Sequence, residues 1–120
     1  MYRDEILDLY KNPWNAGSIE DADIVGEGEN PSCGDSLTIY ADLEEGKISE
    51  ILHETEACAI CTASTSILTE EVKGLDLEEV KGLDRDWMLE KLGVEVSPMR
   101  MKCALLSLKT LQKGVKNETA

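Results

Sequence analysis

The sequence has few aromatic residues and a single histidine. No phenylalanine occurs among its 120 residues, and tryptophan and tyrosine together account for only 4% of them. Apolar residues still make up 42% of the chain. A chain of this length can bury a real core without disulfide staples, and here that core must be aliphatic. We therefore expect one domain over residues 1–120.

Basic residues are also scarce, with 12 against 25 acidic ones and a net charge of −13. This charge argues against nucleic acid and against an anionic membrane as main partners. No apolar run approaches the roughly 18 residues of a membrane helix, and the charged first ten residues are unlike a signal peptide. We expect a cytoplasmic protein whose four cysteines bind metal or take part in catalysis and do not form disulfides.

The first half of the chain predicts one helix and then a sheet. A helix over residues 2–11 ends at Asn12-Pro13. Strands are predicted over residues 19–27, 36–43 and 48–55. Alternation of apolar and polar residues is clearest in the second strand, and we expect a bulge in the third. Because one face of this sheet is apolar and the other polar, helices should cover one face only.

The second half predicts helices. We expect them over residues 58–73, 77–81, 85–92 and from Ser97-Pro98 to about Lys113, before Gly114. The heptapeptide Glu-Glu-Val-Lys-Gly-Leu-Asp occurs twice and separates the shorter helices. Gly74 and Gly82 are predicted to end helices in the left-handed conformation, and Asp76 and Asp84 to cap the next ones. The fold class is therefore α+β, a small sandwich of a three-stranded antiparallel sheet with helices packed on one face.

Three thiols and one carboxylate form a candidate four-ligand metal site. Cys33 and Asp35 lie two residues apart in a segment rich in turn dipeptides, so we expect both on a mobile, exposed loop. Cys58 and Cys103 occur where helices should begin. Thiolates bind zinc or iron tightly, and a helix N-terminus lowers the pKa of a thiol.

The residues around these four positions are more specific than their spacing. The informative segments are Asp8-Leu9-Tyr10-Lys11-Asn12-Pro13, Asn30-Pro31-Ser32-Cys33-Gly34-Asp35, Ala57-Cys58-Ala59-Ile60, Ala63-Ser64-Thr65-Ser66 and Arg100-Met101-Lys102-Cys103-Ala104. Together they resemble the IscU/SufU family, which includes the N-terminal domain of NifU. The resemblance covers about residues 2–113 in order and without a large gap.

The resemblance implies a non-enzymatic scaffold on which iron–sulfur clusters are built. In that family a cysteine desulfurase delivers sulfur as a persulfide, a [2Fe–2S] cluster forms, and an acceptor or carrier protein takes it. Matched by motif, Cys33, Asp35, Cys58 and Cys103 are the ligand and sulfur-acceptor positions, with Cys103 our choice for the persulfide. A homodimer would follow if one cluster bridged two chains.

Two departures leave alternatives open. Lys102 stands where IscU has a histidine, and Arg100-Met101-Lys102-Cys103 is more similar to SufU, whose members bind zinc at the equivalent four residues and accept sulfur. The insertion that SufU carries between its second and third cysteines is absent, which favours the cluster scaffold. A third alternative is a zinc-stabilised interaction module without sulfur chemistry.

Cys61 and His53 are the remaining candidate ligands. Cys58 and Cys61 form a Cys-x-x-Cys pair, which is typical of a redox dithiol. We favour a small core residue for Cys61. His53 matches no motif and is predicted to be a half-buried residue of the third strand.

Overall fold

A three-stranded antiparallel sheet with helices on one face makes up the structure, a computed structural model that describes residues 3–119. The elements are α1 (Arg3–Lys11), β1 (Ile24–Asn30), β2 (Asp35–Glu44), β3 (Lys47–Glu56), α2 (Ala59–Glu71), α3 (Leu77–Lys81), α4 (Arg85–Leu92), a 3₁₀ turn (Pro98–Arg100) and α5 (Met101–Thr119). The α+β prediction is confirmed. Residue 2 of the first predicted helix lies outside the described residues.

The sheet has the strand order β1-β2-β3. Leu37, Ile39 and Ala41 of β2 are buried against the helices, and the residues between them are more exposed. The register shifts after Asp42, which leaves one extra residue in β3 and confirms the predicted bulge. The β2–β3 turn, Glu45-Gly46, has positive φ at both residues, 53° and 79°, as a tight two-residue hairpin requires.

The first strand was predicted too early, over residues 19–27 and not Ile24–Asn30. Where the strand was expected to begin, hydrogen bonds between aspartate carboxylates and backbone N–H groups take the place of strand pairing. The Asp23 carboxylate accepts a hydrogen bond from the Leu43 N–H at 2.7 Å, and the Asp23 N–H donates to the Asp42 carboxylate at 3.2 Å. Asp21, in addition, has a φ of 57°, which a strand does not accommodate. The strand therefore begins later and continues to Asn30, which pairs with Asp35.

Helix α2 is a buried helix rich in small polar residues. Every residue from 61 to 69 is buried, and the helix contacts α1, α5 and β3. The Thr65 hydroxyl donates to the Cys61 carbonyl at 2.8 Å, and the Thr69 hydroxyl to the Ser66 carbonyl at 2.9 Å. These hydroxyls are satisfied within their own helix, and their small size allows the neighbouring elements to pack closely.

Helix α5 packs directly on β1 through glycines. A Cβ atom at Gly26 would lie 2.6 Å from the Thr110 carbonyl oxygen, and one at Gly28 only 2.0 Å from the Thr110 hydroxyl. A Cβ atom at Gly114 would lie 2.9 Å from Ile24. The prediction that this helix ends before Gly114 was therefore wrong. Gly114 provides close approach to the sheet, and the helix continues past it.

The short helices end and begin largely as predicted. Asp76 accepts from the Glu79 N–H at 2.8 Å and Asp84 from the Trp87 N–H at 2.8 Å, so both caps are confirmed. Gly74 has a φ of 86°, as predicted. Gly82 has a φ of −82°, so its left-handed assignment was wrong. The Gly82 N–H bonds to carbonyls of α3 without that conformation.

Residues 14–17 run along the outer edge of β3 and are fixed to His53. Ala16 and His53 form a parallel bridge. The Gly17 N–H donates to the His53 carbonyl, and the His53 N–H to the Asn15 carbonyl, both at 2.9 Å. The His53 ring places Nε2 2.8 Å from the Trp14 carbonyl oxygen, which requires a proton on Nε2. We call residues 14–17 the edge segment.

His53 is 1% exposed, more buried than predicted. This burial lowers its pKa below the ordinary value, although the hydrogen bond to Trp14 acts in the opposite direction. The ring is therefore a neutral structural group that joins β3 to the edge segment. No helix within residues 3–119 is long and apolar enough to cross a membrane.

We expect Gly26→Ala to lower the free energy of unfolding by about 1–3 kcal/mol, because overpacking forces backbone to move. Gly82→Ala is the matched control, since its φ is negative and the nearest atoms would be 3.6 Å away. Urea unfolding of both variants measures the difference. Equal stability of the two would contradict the close α5–β1 contact.

We also expect acid to destabilise the protein through His53. A folded-state pKa below the ordinary 6.5 means that stability present above pH 6.5 is lost as the pH falls through the folded value. His53→Gln removes this titration, so its urea midpoint should fall less than that of the parent between pH 7 and pH 5. Parallel pH profiles would show that His53 does not titrate on unfolding.

Candidate metal centre

The four predicted ligand residues meet where the β1–β2 connection faces the starts of α2 and α5. The ligand atoms of Cys33, Asp35 and Cys103 all lie within 4.8 Å of one another. The backbone N–H of Cys58 donates to Asp35 Oδ1 at 3.0 Å. Burial raises the pKa of the Cys103 thiol, and contacts with the side chains of Asp35, Cys33 and Cys58 raise it further. The structure thus brings three of the ligand atoms together, and Cys58 adjoins them through its backbone N–H on Asp35 and the contact of its side chain with Cys103.

The prediction of an exposed loop is confirmed for Cys33 but was wrong for Asp35. Asp35 is the first residue of β2 and is only 2% exposed. The connection therefore has four residues, 31–34, closed by hydrogen bonds from the Cys33 N–H to the Asn30 carbonyl and from the Gly34 N–H to the Pro31 carbonyl. Cys33 is exposed at the tip of this turn, while pairing with Asn30 fixes Asp35 in the sheet.

Asp35 is a buried carboxylate with one oxygen left over. Its Oδ1 accepts the hydrogen bond from Cys58, whereas Oδ2 is buried and has no hydrogen-bond partner among residues 3–119. Burying an unsatisfied carboxylate oxygen costs free energy. A cation held between this oxygen and the thiols would compensate that cost, so the donor set fits a metal ion.

Two residues that sequence reasoning did not assign to the site also contact it. Asn30 is buried, and its Nδ2 donates to Cys103 Sγ at 3.8 Å. Arg100 lies beside the thiols. A hydrogen bond with Cys103 raises the pKa of its guanidinium, and the charges of Cys58, Cys103 and Cys33 raise it further. Both residues occur in the family-like segments, which was the available signal. A cation at Arg100 favours thiolate over thiol.

Cys58 is the N-cap residue of α2, and Cys103 is the third residue of α5. Both were predicted where helices begin, and this is confirmed: Cys58 directly precedes α2, and Cys103 lies in the first turn of α5. Cys61 is completely buried, as the core assignment predicted. Burial raises the pKa of Cys61 to about 12, with further contributions from the charges of Asp35, Cys58 and Cys33.

The NifU-like N-terminal domain model matches residues 1–119 of the chain. This chain belongs to the NifU-like N-terminal domain family. The matched region includes the whole fold and all four candidate ligands, three cysteines and an aspartate. The family prediction is confirmed.

Curated relatives of both kinds named above are similar over nearly the full chain. The Archaeoglobus fulgidus iron–sulfur cluster assembly scaffold protein IscU 1 is 39% identical over 96% of this chain and 74% of its own. The Bacillus subtilis zinc-dependent sulfurtransferase SufU is 37% identical over 98% of this chain and 91% of its own.

A solved structure is similar in fold. The crystal structure of a protein described as an iron–sulfur cluster assembly scaffold for the SUF system, from Fervidobacterium islandicum AW-1, superposes on this chain with a TM-score of 0.80. It is 32% identical, with 95% of this chain and 96% of that chain covered.

We expect the cysteines to react with iodoacetamide at very different rates in the metal-free protein at pH 8. Cys33 is exposed and should react first. Cys61 is buried with a pKa of about 12, so it should react much more slowly than Cys33, because the thiolate is the nucleophile. Peptide mass spectrometry gives the order, and the urea-unfolded chain, where the difference should disappear, is the control. Rapid labelling of Cys61 in folded protein would contradict its placement.

Proposed function

We propose that this chain is an iron–sulfur cluster assembly scaffold and that Cys33, Asp35, Cys58 and Cys103 hold the growing [2Fe–2S] cluster. One observation carries this proposal. Asp35 is buried beside the thiols with an unpartnered oxygen, an arrangement that is unfavourable for an empty structural site and favourable for one that receives cations.

The ligand set suits cargo that is passed on. Thiolates are soft donors that bind iron and sulfide-bridged iron strongly, whereas a carboxylate is a harder and weaker partner. A fourth cysteine in place of Asp35 would make a four-cysteine site of the kind that retains its cluster. With Asp35 in that position and Cys33 on a short exposed turn, one side of the cluster can be released to an acceptor or carrier protein.

A cysteine desulfurase is the sulfur source that this function requires. Cys33 is exposed, while Cys103, our choice from the sequence, is completely buried. Sulfur arriving from a partner therefore meets Cys33 first. Cys103 lies within 4.8 Å of it and is the next acceptor, since transfer of a sulfane sulfur between neighbouring thiols follows thiol–disulfide exchange chemistry.

A zinc-dependent sulfur acceptor is the second candidate, favoured by the Bacillus subtilis relative and by Arg100 beside Cys103. Three cysteines and an aspartate also suit a four-coordinate zinc ion. Cys33, Asp35, Cys58 and Cys103 would hold it, and zinc would supply lowered thiol pKa values. In this case the chain would take part in group transfer and not act only as a scaffold.

Elemental analysis of protein purified without oxygen separates the candidates. The scaffold predicts iron with matching acid-labile sulfide after reconstitution with ferrous iron and sodium sulfide, with at least a tenfold loss of both in Cys33→Ala. Cys61→Ala is the matched control and should retain both, because Cys61 is not a proposed ligand. Zinc without sulfide, together with a desulfurase rate that rises when the protein is added, would support the sulfur acceptor and contradict the scaffold.

A further inference from the structure

We propose that Cys61 is an internal reductant, which converts persulfide sulfur carried on Cys58 into sulfide by forming a Cys58–Cys61 disulfide. This inference rests on the proposed function, since it requires sulfur to arrive at the site as a persulfide and to pass from Cys103 to Cys58, whose side chain contacts Cys103. It gives a role to the Cys-x-x-Cys pair, which the ligand set leaves unused.

The positions of the two cysteines on α2 suit such a bond. Cys58 is the N-cap residue with extended backbone (φ −67°, ψ 168°), and Cys61 is the third helical residue. Side chains with this spacing share one face of a helix, with Cβ atoms about 5–6 Å apart. A disulfide needs about 3.5–4.5 Å between Cβ atoms. Cys58 lies outside the regular helix, so a change in its own backbone can close the gap.

Cys61 is shielded from solvent and lies close to Cys58 along the chain of α2. Its side chain is 0% exposed, so soluble oxidants do not contact it. Cys58 is the N-cap residue and Cys61 the third helical residue, positions that lie on one face of a helix. Sulfur carried on Cys58 is therefore the electrophile nearest to Cys61 along the helix.

The start of α2 also favours negative charge on the departing sulfur. Its first turn contains no acidic residue of its own, and the Asp35 carboxylate, whose Oδ1 accepts from the Cys58 N–H, is the negative group that already lies at the positive end of the helix dipole. The N–H groups of the first turn that follow have no carbonyl partner within the helix, so they can donate to the departing sulfur.

The step balances as a single exchange. Cys61 Sγ attacks Cys58 Sγ, the bond between Cys58 Sγ and the sulfane sulfur breaks, and the electron pair of that bond leaves with the sulfane sulfur. The proton of the Cys61 thiol passes to the departing hydrosulfide. The sulfane sulfur is reduced to sulfide, and the two thiols are oxidised to one disulfide. A dithiol reductant from outside, which is a partner class that the scaffold alone does not require, then restores both thiols.

The test loads the metal-free protein with sulfane sulfur from inorganic polysulfide, removes the excess by gel filtration, and adds no thiol. We expect about one sulfide released per loaded chain in the parent, with a Cys58–Cys61 disulfide found by peptide mass spectrometry. Cys61→Ala and Cys61→Ser should retain the sulfane sulfur until dithiothreitol is added. Because two different substitutions are compared, a folding defect in one of them does not decide the result.

Equal sulfide release from the parent and both variants, a disulfide mapped to Cys33 and Cys103, or no loading at all would overturn this role of Cys61. A parallel reaction with ferrous iron and sodium sulfide bypasses the reduction step. Cluster formation there by Cys61→Ala at the parental level keeps the scaffold proposal intact whatever the first result. Failure there by the parent would refute the scaffold instead.

Discussion

The contact between α5 and β1 determines where the candidate metal centre lies. Gly26 and Gly28 let the helix backbone rest almost on the strand, and Gly114 does the same from the helix side. This contact places Cys103, near the start of α5, against Asn30, at the end of β1. A side chain between the two elements would separate Cys103 from Cys33 and Asp35, so the glycines matter for the site as well as for the core.

The site combines a rigid part with an adaptable one. Asp35 and Cys103 lie within a strand and a helix, whose positions the core fixes. Cys33 alone lies on a four-residue turn that includes Gly34 with a φ of 72°. Under the proposed function, the free energy that it costs to bury the Asp35 carboxylate would be recovered on binding a cation, so the loaded state would be the more stable one.

Local chemistry made much of the fold predictable, and long-range packing explains the errors. Asp76 and Asp84 cap helices through their own neighbours, so the sequence alone indicated them. The meaning of Gly114 depends on Ile24, far away in the chain, and no local pattern reveals that contact. Family-like segments identified all four candidate ligands. The burial of Asp35, however, follows from the register of β1 with β2, and the turn residues around Asp35 give no indication of that register.

The edge segment has a consequence for self-association. It occupies the outer edge of β3, while among residues 3–119 no strand pairs with the outer edge of β1. Two copies joined there would extend the sheet, but Glu27 and Glu29 of each chain would then face like charges across the junction. The edge segment at β3 and these carboxylates at β1 therefore both oppose edge-to-edge pairing, so the sheet does not grow into an extended ribbon.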